Sequence, residues 1–243
     1  MNLDQVRAEL APSGTLRVAI NYGNPVLAQK DPMSGAPRGV SADIAQEVSA
    51  RLGVPIAFVT FDAAGKVFAA LKDAAWDMAF LAIDPARATE IDFTPPYVII
   101  EGSYMVPAGS PLRAVEDVDR AGVRIAVGQG SAYELYLSRT IEHAQIVRFP
   151  TGNEAIAMFE RDKLEAVAGV KSPLVRLAQT RPEWRVMDGR FMAIEQAIGT
   201  PKGRAHANRY LRGLIEELKR SGFVAQGLAH SGQHDALVAP PAP

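Results

Sequence analysis

The sequence predicts an α/β chain that folds as two halves, each built around its own mostly parallel sheet. Two observations predict this fold class. Short apolar runs bounded by turn residues alternate with amphipathic helical stretches over 16–82 and again over 123–179, which is the pattern of a doubly wound half. Extended apolar segments at 98–106 and 191–200 interrupt that alternation, so the chain should pass from the first half to the second and back again there.

The first half is predicted to begin with a short outer helix and to continue as three strands separated by two helices. Leu3, Val6 and Leu10 recur at helical spacing before Gly14 and its neighbours end the first helix. Ser41 stands where the next helix needs an N-cap. In chain order, the predicted elements are a helix at 2–10, a strand at 16–20, an exposed hairpin at 31–38, a helix at 41–52, a strand at 56–61, a helix at 66–72 and a strand at 77–82.

The second half repeats the alternation, and a helical segment follows it. The predicted elements are strands at 123–127, 145–149 and 166–168, and helices at 131–138, 153–161 and 173–179. After the return segment, a long amphipathic helix is predicted at 202–221 and a short one at 224–228. The tail at 236–243 is rich in proline and alanine and is predicted to be frayed.

Composition excludes several classes of function. The 26 basic and 27 acidic residues give a net charge of −1, which argues against a nucleic-acid or anionic-membrane partner, because such binding needs a basic patch. The chain has no cysteine, so disulfides, thiolate metal sites and cysteine nucleophiles are excluded. His230 and His234 are four residues apart, but no helix is predicted to align them and no glutamate stands between them. We predict no metal and no cofactor.

The N-terminal residues have neither the basic region nor the apolar region of a secretory signal peptide. Two expectations remain open: a leader was removed and Met1 added, or the protein stays in the cytoplasm. No run approaches the about 18 apolar residues that a membrane-spanning helix requires.

The segment 76–97, WDMAFLAIDPARATEIDFTPPY, contains the first candidate binding residue. An apolar strand ends at Asp84, and Arg87 follows in a short charged turn. The guanidinium should therefore lie just beyond the carboxyl end of a buried strand, where ligands bind in open α/β sheets, and a guanidinium binds a carboxylate through two parallel hydrogen bonds. The alternative is a solvated arginine that pairs with Glu90 or Asp92.

This segment also carries a resemblance to a known family. Asp77, Arg87 and the run Ile91, Asp92, Phe93, Thr94, Pro96 and Tyr97 are in register with (L/I)-D-A-x-x-x-x-x-(S/T)-x-x-R-x-x-x-(I/V)-D-F-S-x-P-Y. That pattern belongs to the polar amino-acid type of periplasmic solute-binding proteins, the receptors of ABC importers. The chain resembles them from about 14 to 231, with further similarity at 14–19, 39–52, 123–131 and 163–166.

The resemblance implies a type II periplasmic-binding-protein fold with two lobes that close about a hinge. Lobe 1 is expected at 1–101 plus 196–243, lobe 2 at 107–190, and the hinge crossings near 102–106 and 191–195. A periplasmic location, an ABC transporter permease as partner and a monomeric state are also expected. The function implied is to clamp a small carboxylate-bearing solute between the lobes, with no catalytic residue.

The resemblance assigns the solute carboxylate to two places. Arg87 matches the arginine that holds the α-carboxylate in the family. Gly130 and Ser131, in a turn between a strand and a helix, match the turn that contacts the same carboxylate from the second lobe, and backbone N–H groups at such a turn can receive an anion. The turn also begins like a dinucleotide-binding G-x-G-x-x-G, but Tyr133 replaces the third glycine, which weighs against nucleotide binding.

Other residues of the chain depart from the family pattern, and they bear on how the parts of the ligand other than its carboxylate would be bound. Val170 stands where amino-acid receptors have the aspartate that holds the α-ammonium, and Lys171 follows it. Asn24 and Ala64 stand in place of the aromatic platforms. A buried ammonium without a counter-ion is costly, so an organic acid is expected rather than a standard α-amino acid. Lys171 either meets a second anionic group or flanks a helix capped by Ser172; both interpretations stay open.

Five further residues are predicted to line the cleft, each with ordinary strand-end packing or hinge structure as the alternative: Asn21, Asp62, Phe80, Ala82 and Glu195. Two other functions stay open. Cyclohexadienyl and arogenate dehydratases resemble these receptors but need a carboxylic general acid, for which Glu195 or Asp84 would be the candidates. A sensor role, in which a signalling partner detects ligand binding, is the second alternative.

Overall fold

The computed structural model describes residues 2–242. The chain divides into two compact units: unit 1 comprises Met1–Ile99 and Glu195–Pro243, and unit 2 comprises Ile100–Ile194. The chain therefore passes from unit 1 to unit 2 after Ile99 and returns after Ile194. The predicted hinge segments stay predictions.

The strands are, in chain order, β1 (Leu16–Asn21), β2 (Gln29–Lys30), β3 (Pro37–Arg38), β4 (Ile56–Phe61), β5 (Met78–Ala82), β6 (Ile91–Phe93), β7 (Val98–Pro107), β8 (Arg124–Gly128), β9 (Gln145–Phe149), β10 (Ala166–Val170), β11 (Trp184–Val186), β12 (Met192–Pro201) and β13 (Leu237–Val238). The α-helices are α1 (Leu3–Leu10), α2 (Val40–Leu52), α3 (Ala64–Ala69), α4 (Ala132–Thr140), α5 (Gly152–Arg161), α6 (Lys171–Thr180), α7 (Ala205–Arg220) and α8 (Phe223–His230). Short 3-10 helices run over Ala70–Asp73, Arg87–Thr89 and Val115–Asp117.

Unit 1 has a sheet in which β1 pairs in parallel with β4 on one side and with β5 on the other. The unit 1 part of β12 runs antiparallel to β5, and β6 pairs with β12. All residues of β5 are buried, as expected of a central strand that is covered on both faces. On α2, Ile44, Val48 and Leu52 form the buried stripe, and Gly53 ends the helix in the left-handed conformation.

Unit 2 repeats the plan with β8 at its centre. This strand pairs in parallel with β9 and with β10, and β10 runs antiparallel to β7. The mixed α/β architecture predicted from the sequence is confirmed, and its two units match the predicted type II fold. Strand β11, which pairs with β7 through Trp184–Val186, was not predicted from the sequence.

Two local predictions in unit 1 are wrong. Helix α2 begins at Val40, with Gly39 at the N-cap, so Ser41 lies inside the helix; its hydroxyl lies 2.9 Å from the buried Tyr97 hydroxyl. The tail is not frayed throughout, since Leu237–Val238 pair with β7 and the Ala239 N–H donates to the Tyr97 carbonyl. A short run of backbone hydrogen bonds was enough to order a segment whose composition suggested fraying.

A repeated ion-pair motif holds the third parallel strand of each unit. In unit 1, the Arg17 guanidinium bonds the Asp77 carboxylate and the Ala74 carbonyl. In unit 2, Arg124 bonds Glu165 and the Lys163 carbonyl in the same way. The carbonyl that accepts the bond from each arginine belongs to a residue with positive φ, 49° at Ala74 and 50° at Lys163. The same geometry therefore recurs in both units.

Asp119 fixes a turn of unit 2 and gives stability a pH dependence. Its carboxylate accepts the N–H groups of Glu142, His143 and Ala144 at 2.7–3.0 Å. Desolvation opposes ionisation, but these bonds outweigh it and lower the pKa of Asp119 to about 2.

We therefore expect Asp119→Asn to destabilise the protein most above about pH 4, where the unfolded carboxyl is ionised. The stability advantage of the wild type should shrink as the pH falls toward 2, because the folded carboxylate then takes up a proton. Urea unfolding of both proteins between pH 2.5 and 7 measures this. A stability difference that is constant across that range would contradict the assignment.

Candidate functional site

Three loops of unit 1 meet at the carboxyl edge of its parallel strands. Asn21 at the end of β1 pairs with Phe61 at the end of β4, and β5 lies on the other side of β1. Neighbouring strands are about 5 Å apart, so the segments that follow the three strands lie side by side. This edge holds Asn21, Asn24 and Asp62, and the turn with Arg87.

Arg87 is buried at this edge. It opens the 3-10 helix Arg87–Thr89, its side chain is among the largest fully buried ones, and its Nη1 donates to the Ala82 carbonyl at 2.9 Å. The preceding turn is fixed because the Asp84 carboxylate accepts the Ala86 N–H at 2.9 Å. Arg87 is therefore not the solvated arginine of the alternative interpretation; the structure holds its guanidinium at the end of β5.

The loops after β1 and β4 supply polar groups with different surroundings. The Asn21 carbonyl oxygen Oδ1 accepts the Gly23 N–H at 2.9 Å. Asn24 is buried, and its Oδ1 accepts no hydrogen bond from residues 2–242. Asp62 pairs with Lys66 one turn along the surface, and both side chains are at least half exposed. The Asp62 carboxylate thus pairs with a lysine of helix α3, which follows its loop.

Phe80, Ala82 and Glu195 lie along β5 and β12. The Phe80 ring packs edge-on against the Tyr97 ring, with centroids 5.8 Å apart, and both rings are buried. The Ala82 carbonyl is the acceptor for Arg87. Glu195 is exposed, and its backbone carbonyl accepts the Ile83 N–H. Burial raises the pKa of Tyr97 above its usual range, so its hydroxyl stays protonated.

In unit 2, the N-terminus of α4 already contains a carboxylate of the chain itself. The Ser131 hydroxyl caps the helix by accepting the Glu134 N–H, and the Glu134 carboxylate accepts the Gly130 N–H at 3.0 Å. Glu134 is buried, which opposes ionisation, but bonds from Ser138, Arg148 and Gly130 outweigh this and lower its pKa. Glu134 was not predicted from the sequence, although a glutamate three residues after a serine is a known capping signal.

Val170 and Lys171 lie at the carboxyl end of β10. Val170 ends the strand and is the N-cap residue of α6, and Lys171 is the first residue of that helix. Ser172 therefore lies within the helix, and its predicted capping role is wrong. The Lys171 ammonium lies 3.3 Å from Glu101, whose other oxygen lies 3.1 Å from Arg190. Nothing in the sequence pointed to Glu101 or Arg190, which are far apart along the chain.

The region that the structure describes contains no helix long and apolar enough to cross a membrane. Over residues 2–242, no three histidine or acidic side chains are grouped closely enough to hold a metal ion.

Solved structures of solute-binding proteins have the same fold. A mutant of ArgBP from T. maritima shares 20% identity, with coverage of 96% of this chain and 100% of that one and a TM-score of 0.79. The solute receptor for L-cysteine of Neisseria gonorrhoeae shares 18% identity over 95% of this chain and 93% of that one, with a TM-score of 0.80. Identities this low show the fold alone.

A third structure is that of an ancestral amino-acid-binding protein described as a precursor of cyclohexadienyl dehydratase. It shares 21% identity over 94% of this chain and 97% of that one, with a TM-score of 0.76. Comparison with curated protein sequences gives no match.

A family model matches residues 16–230, which is most of the chain. Its matched range includes all three parallel strands of unit 1, the whole of unit 2 and helix α7. The chain therefore belongs to the bacterial extracellular solute-binding proteins, family 3.

Proposed function

We propose that this protein is the receptor of an ABC importer and that its solute carries a carboxylate bound by Arg87. The observation that carries the proposal is a buried guanidinium at the carboxyl edge of the unit 1 sheet. The planar guanidinium can bind a carboxylate through two parallel hydrogen bonds. Ligands of open α/β sheets bind at this edge.

We propose an organic acid as the solute rather than a standard α-amino acid. The ArgBP and L-cysteine receptor structures are named for amino-acid ligands, but this chain has Val170 where the family resemblance places the ammonium-binding aspartate. The next residue is a cation, and the carboxylate nearest to it, Glu101, already contacts Lys171 and Arg190. An α-ammonium would therefore meet positive charge at this end of unit 2.

Export to the periplasm and delivery to a membrane permease belong to the same proposal. The family is described as extracellular, which supports a location outside the cytoplasm. A receptor of this kind releases its solute to a transporter and needs no catalytic group.

A dehydratase activity is the second candidate, and the likeness to the precursor of cyclohexadienyl dehydratase is the observation that favours it. Such an enzyme needs a carboxylic acid near the leaving group. The Asp84 carboxylate is held by the Ala86 N–H, and Glu195 is exposed. Turnover of prephenate or arogenate that disappears in Glu195→Gln or Asp84→Asn would establish the enzyme in place of the pure receptor.

A thermal-shift screen tests the receptor proposal. We expect organic acids to raise the melting temperature, because a ligand that binds only the folded state at 100 times its Kd stabilises it by about 2.7 kcal/mol. For a protein of this size, that corresponds to a rise of roughly 5–10 °C. The primary amide of each active acid is the matched control and should give no rise. Amides as effective as acids, or a response to amino acids alone, would contradict the proposal.

A further inference from the structure

Asn24 carries a buried amide whose acceptor atom has no partner in the part of the chain that the structure describes. The residue is only 9% exposed, and its Oδ1 accepts no hydrogen bond from residues 2–242. A buried polar atom without a hydrogen bond costs free energy, and such atoms are rare in folded proteins. Stability therefore does not explain why an amide stands at this position.

The side chain of Asn24 also lacks the usual structural role of an asparagine in a turn. Asparagine and aspartate stabilise turns by accepting a nearby main-chain N–H with their own side chain. Asn21 accepts the Gly23 N–H at 2.9 Å in this way, and Asp31 accepts the Ser34 N–H at 2.8 Å. The Asn24 Oδ1 makes no such bond, so the turn does not depend on it.

The main chain on both sides of Asn24 is held in place. The Asn24 carbonyl accepts the N–H groups of Leu27 and Ala28 at 3.1 and 3.2 Å. On the other side, Gly23 lies so close to the next loop that a Cβ there would be 2.4 Å from the Asp62 carbonyl oxygen. Moving the amide of Asn24 to the surface would break these contacts, so the acceptor stays buried.

Asn24 and Arg87 lie at the ends of adjacent strands. Asn24 follows β1, and its N–H donates at 3.4 Å to the carbonyl of Asn21, the last residue of that strand. Arg87 bonds the carbonyl of Ala82, the last residue of β5. Because β1 pairs in parallel with β5, and neighbouring strands are about 5 Å apart, the amide and the guanidinium belong to the same carboxyl edge of unit 1.

A hydroxyl group is the partner that best matches this acceptor. The partner of Oδ1 must donate a hydrogen bond, and the common donors of small carboxylic acids are hydroxyl and ammonium groups. Asn24 is neutral, and the acidic residue of the neighbouring loop, Asp62, pairs with Lys66. A buried ammonium would therefore lack a counter-ion, whereas a hydroxyl is neutral and needs none.

We propose that the preferred solute is a hydroxy acid, whose hydroxyl donates a hydrogen bond to the Asn24 Oδ1 while Arg87 binds its carboxylate. This inference rests on the proposed function, because it narrows the organic acid to one class. Asn24 is then a specificity-determining residue. A site with a buried acceptor rejects an analogue that lacks the donor, because the acceptor is left unpaired.

Calorimetric titration of the full chain with matched acids tests the hydroxyl contact. The parent acids run from propionate to hexanoate, and each is compared with its 2- and 3-hydroxy, fluoro and amino derivatives. One neutral hydrogen bond corresponds to on the order of tenfold in Kd, so the best hydroxy acid should bind about tenfold more tightly than its parent. Fluorine is close to a hydroxyl in size but cannot donate, so the fluoro acid should bind like the parent. A fluoro or amino derivative that binds as tightly as the hydroxy acid would overturn the proposal.

Asn24→Leu tests the same contact from the side of the protein. Leucine has a similar shape and no acceptor, so the ratio of the parent Kd to the hydroxy-acid Kd should fall from about ten to about one. The ligand-free variant should also melt at a higher temperature, because an unpaired buried polar atom is removed. Asn24→Ala, which adds no bulk, should lower the ratio in the same way even where leucine prevents folding.

Gln46→Leu is the matched control, since it removes an exposed amide of α2 and should change neither the ratio nor the melting temperature. A lower melting temperature of Asn24→Leu together with an unchanged ratio would assign the amide to stability and overturn the proposal.

The failure of this inference differs from failure of the proposed function. Parent and hydroxy acids that bind equally tightly, with no effect of either Asn24 variant, overturn the hydroxyl contact and leave Arg87 as the acid-binding residue. Absence of binding by every acid in the series overturns both proposals.

Discussion

Asp77→Ala should be among the most destabilising single substitutions in unit 1. The Asp77 side chain is fully buried, and it accepts hydrogen bonds from Arg17 at 2.8 and 2.9 Å and from Arg204 at 3.0 Å. Removing it leaves two guanidinium groups without their buried counter-ion, and breaking a buried pair in this way costs about 3–5 kcal/mol. Arg204 also donates to the Glu9 carbonyl, so the ion pair connects β1 and β5 with α1 and α7.

The repeated motif of unit 2 supplies a matched control for this prediction. Glu165 accepts from Arg124 with the same geometry, but its side chain is 36% exposed and it pairs with one arginine. We expect Glu165→Ala to cost about 1 kcal/mol, because water can solvate the arginine that is left behind. Urea unfolding of the two variants measures the difference. Equal losses of unfolding free energy would show that burial and the second arginine at Asp77 contribute nothing.

The fold class could be predicted from the sequence because it is indicated by patterns of apolar residues within short segments. The buried runs of β1, β5, β8 and β10 are short and bounded by turn residues, and the stripe Ile44, Val48 and Leu52 has helical spacing. Both signals depend only on near neighbours in the chain. The existence of these strands and of α2 could therefore be predicted. The start of α2 was predicted at the wrong residue, because Ser41 satisfies the rule for an N-cap and yet bonds Tyr97.

Contacts between distant residues were not readable from a single sequence. The ion pair between Glu101 and Arg190 joins residues that are 89 positions apart. The pairing of β7 with β10 and the bond from the Phe191 N–H to the Gly102 carbonyl bring them together. Asn24 could be singled out from the sequence, because it replaces an aromatic residue of the family pattern. The burial of its Oδ1 without a partner among the described residues could not be predicted. Such facts depend on tertiary packing, which no local pattern encodes.

The family resemblance and the structure support different parts of the site assignment. Register with the family pattern selected Arg87, and the structure places that side chain in the interior at the end of β5. The structure also shows that the α4 N-terminus, the second predicted carboxylate contact, holds Glu134. A solute carboxylate near Ser131 would meet a buried like charge, which makes Arg87 the stronger of the two predicted contacts.

Arg87→Met should therefore abolish most acid binding. A charge-assisted hydrogen bond contributes about 1.5–3 kcal/mol, so we expect the Kd of the best organic acid to rise on the order of 10- to 100-fold. Arg87→Lys keeps the charge but loses the planar, two-pronged geometry and should give an intermediate Kd. Arg209→Met removes an exposed arginine of α7 and should leave the Kd unchanged. Calorimetric titration measures the constants, and melting curves without ligand show whether each variant is folded. A folded Arg87→Met protein that binds acids as tightly as the wild type would remove the basis of the receptor proposal, because no other side chain of unit 1 is a buried cation at the carboxyl edge within residues 2–242.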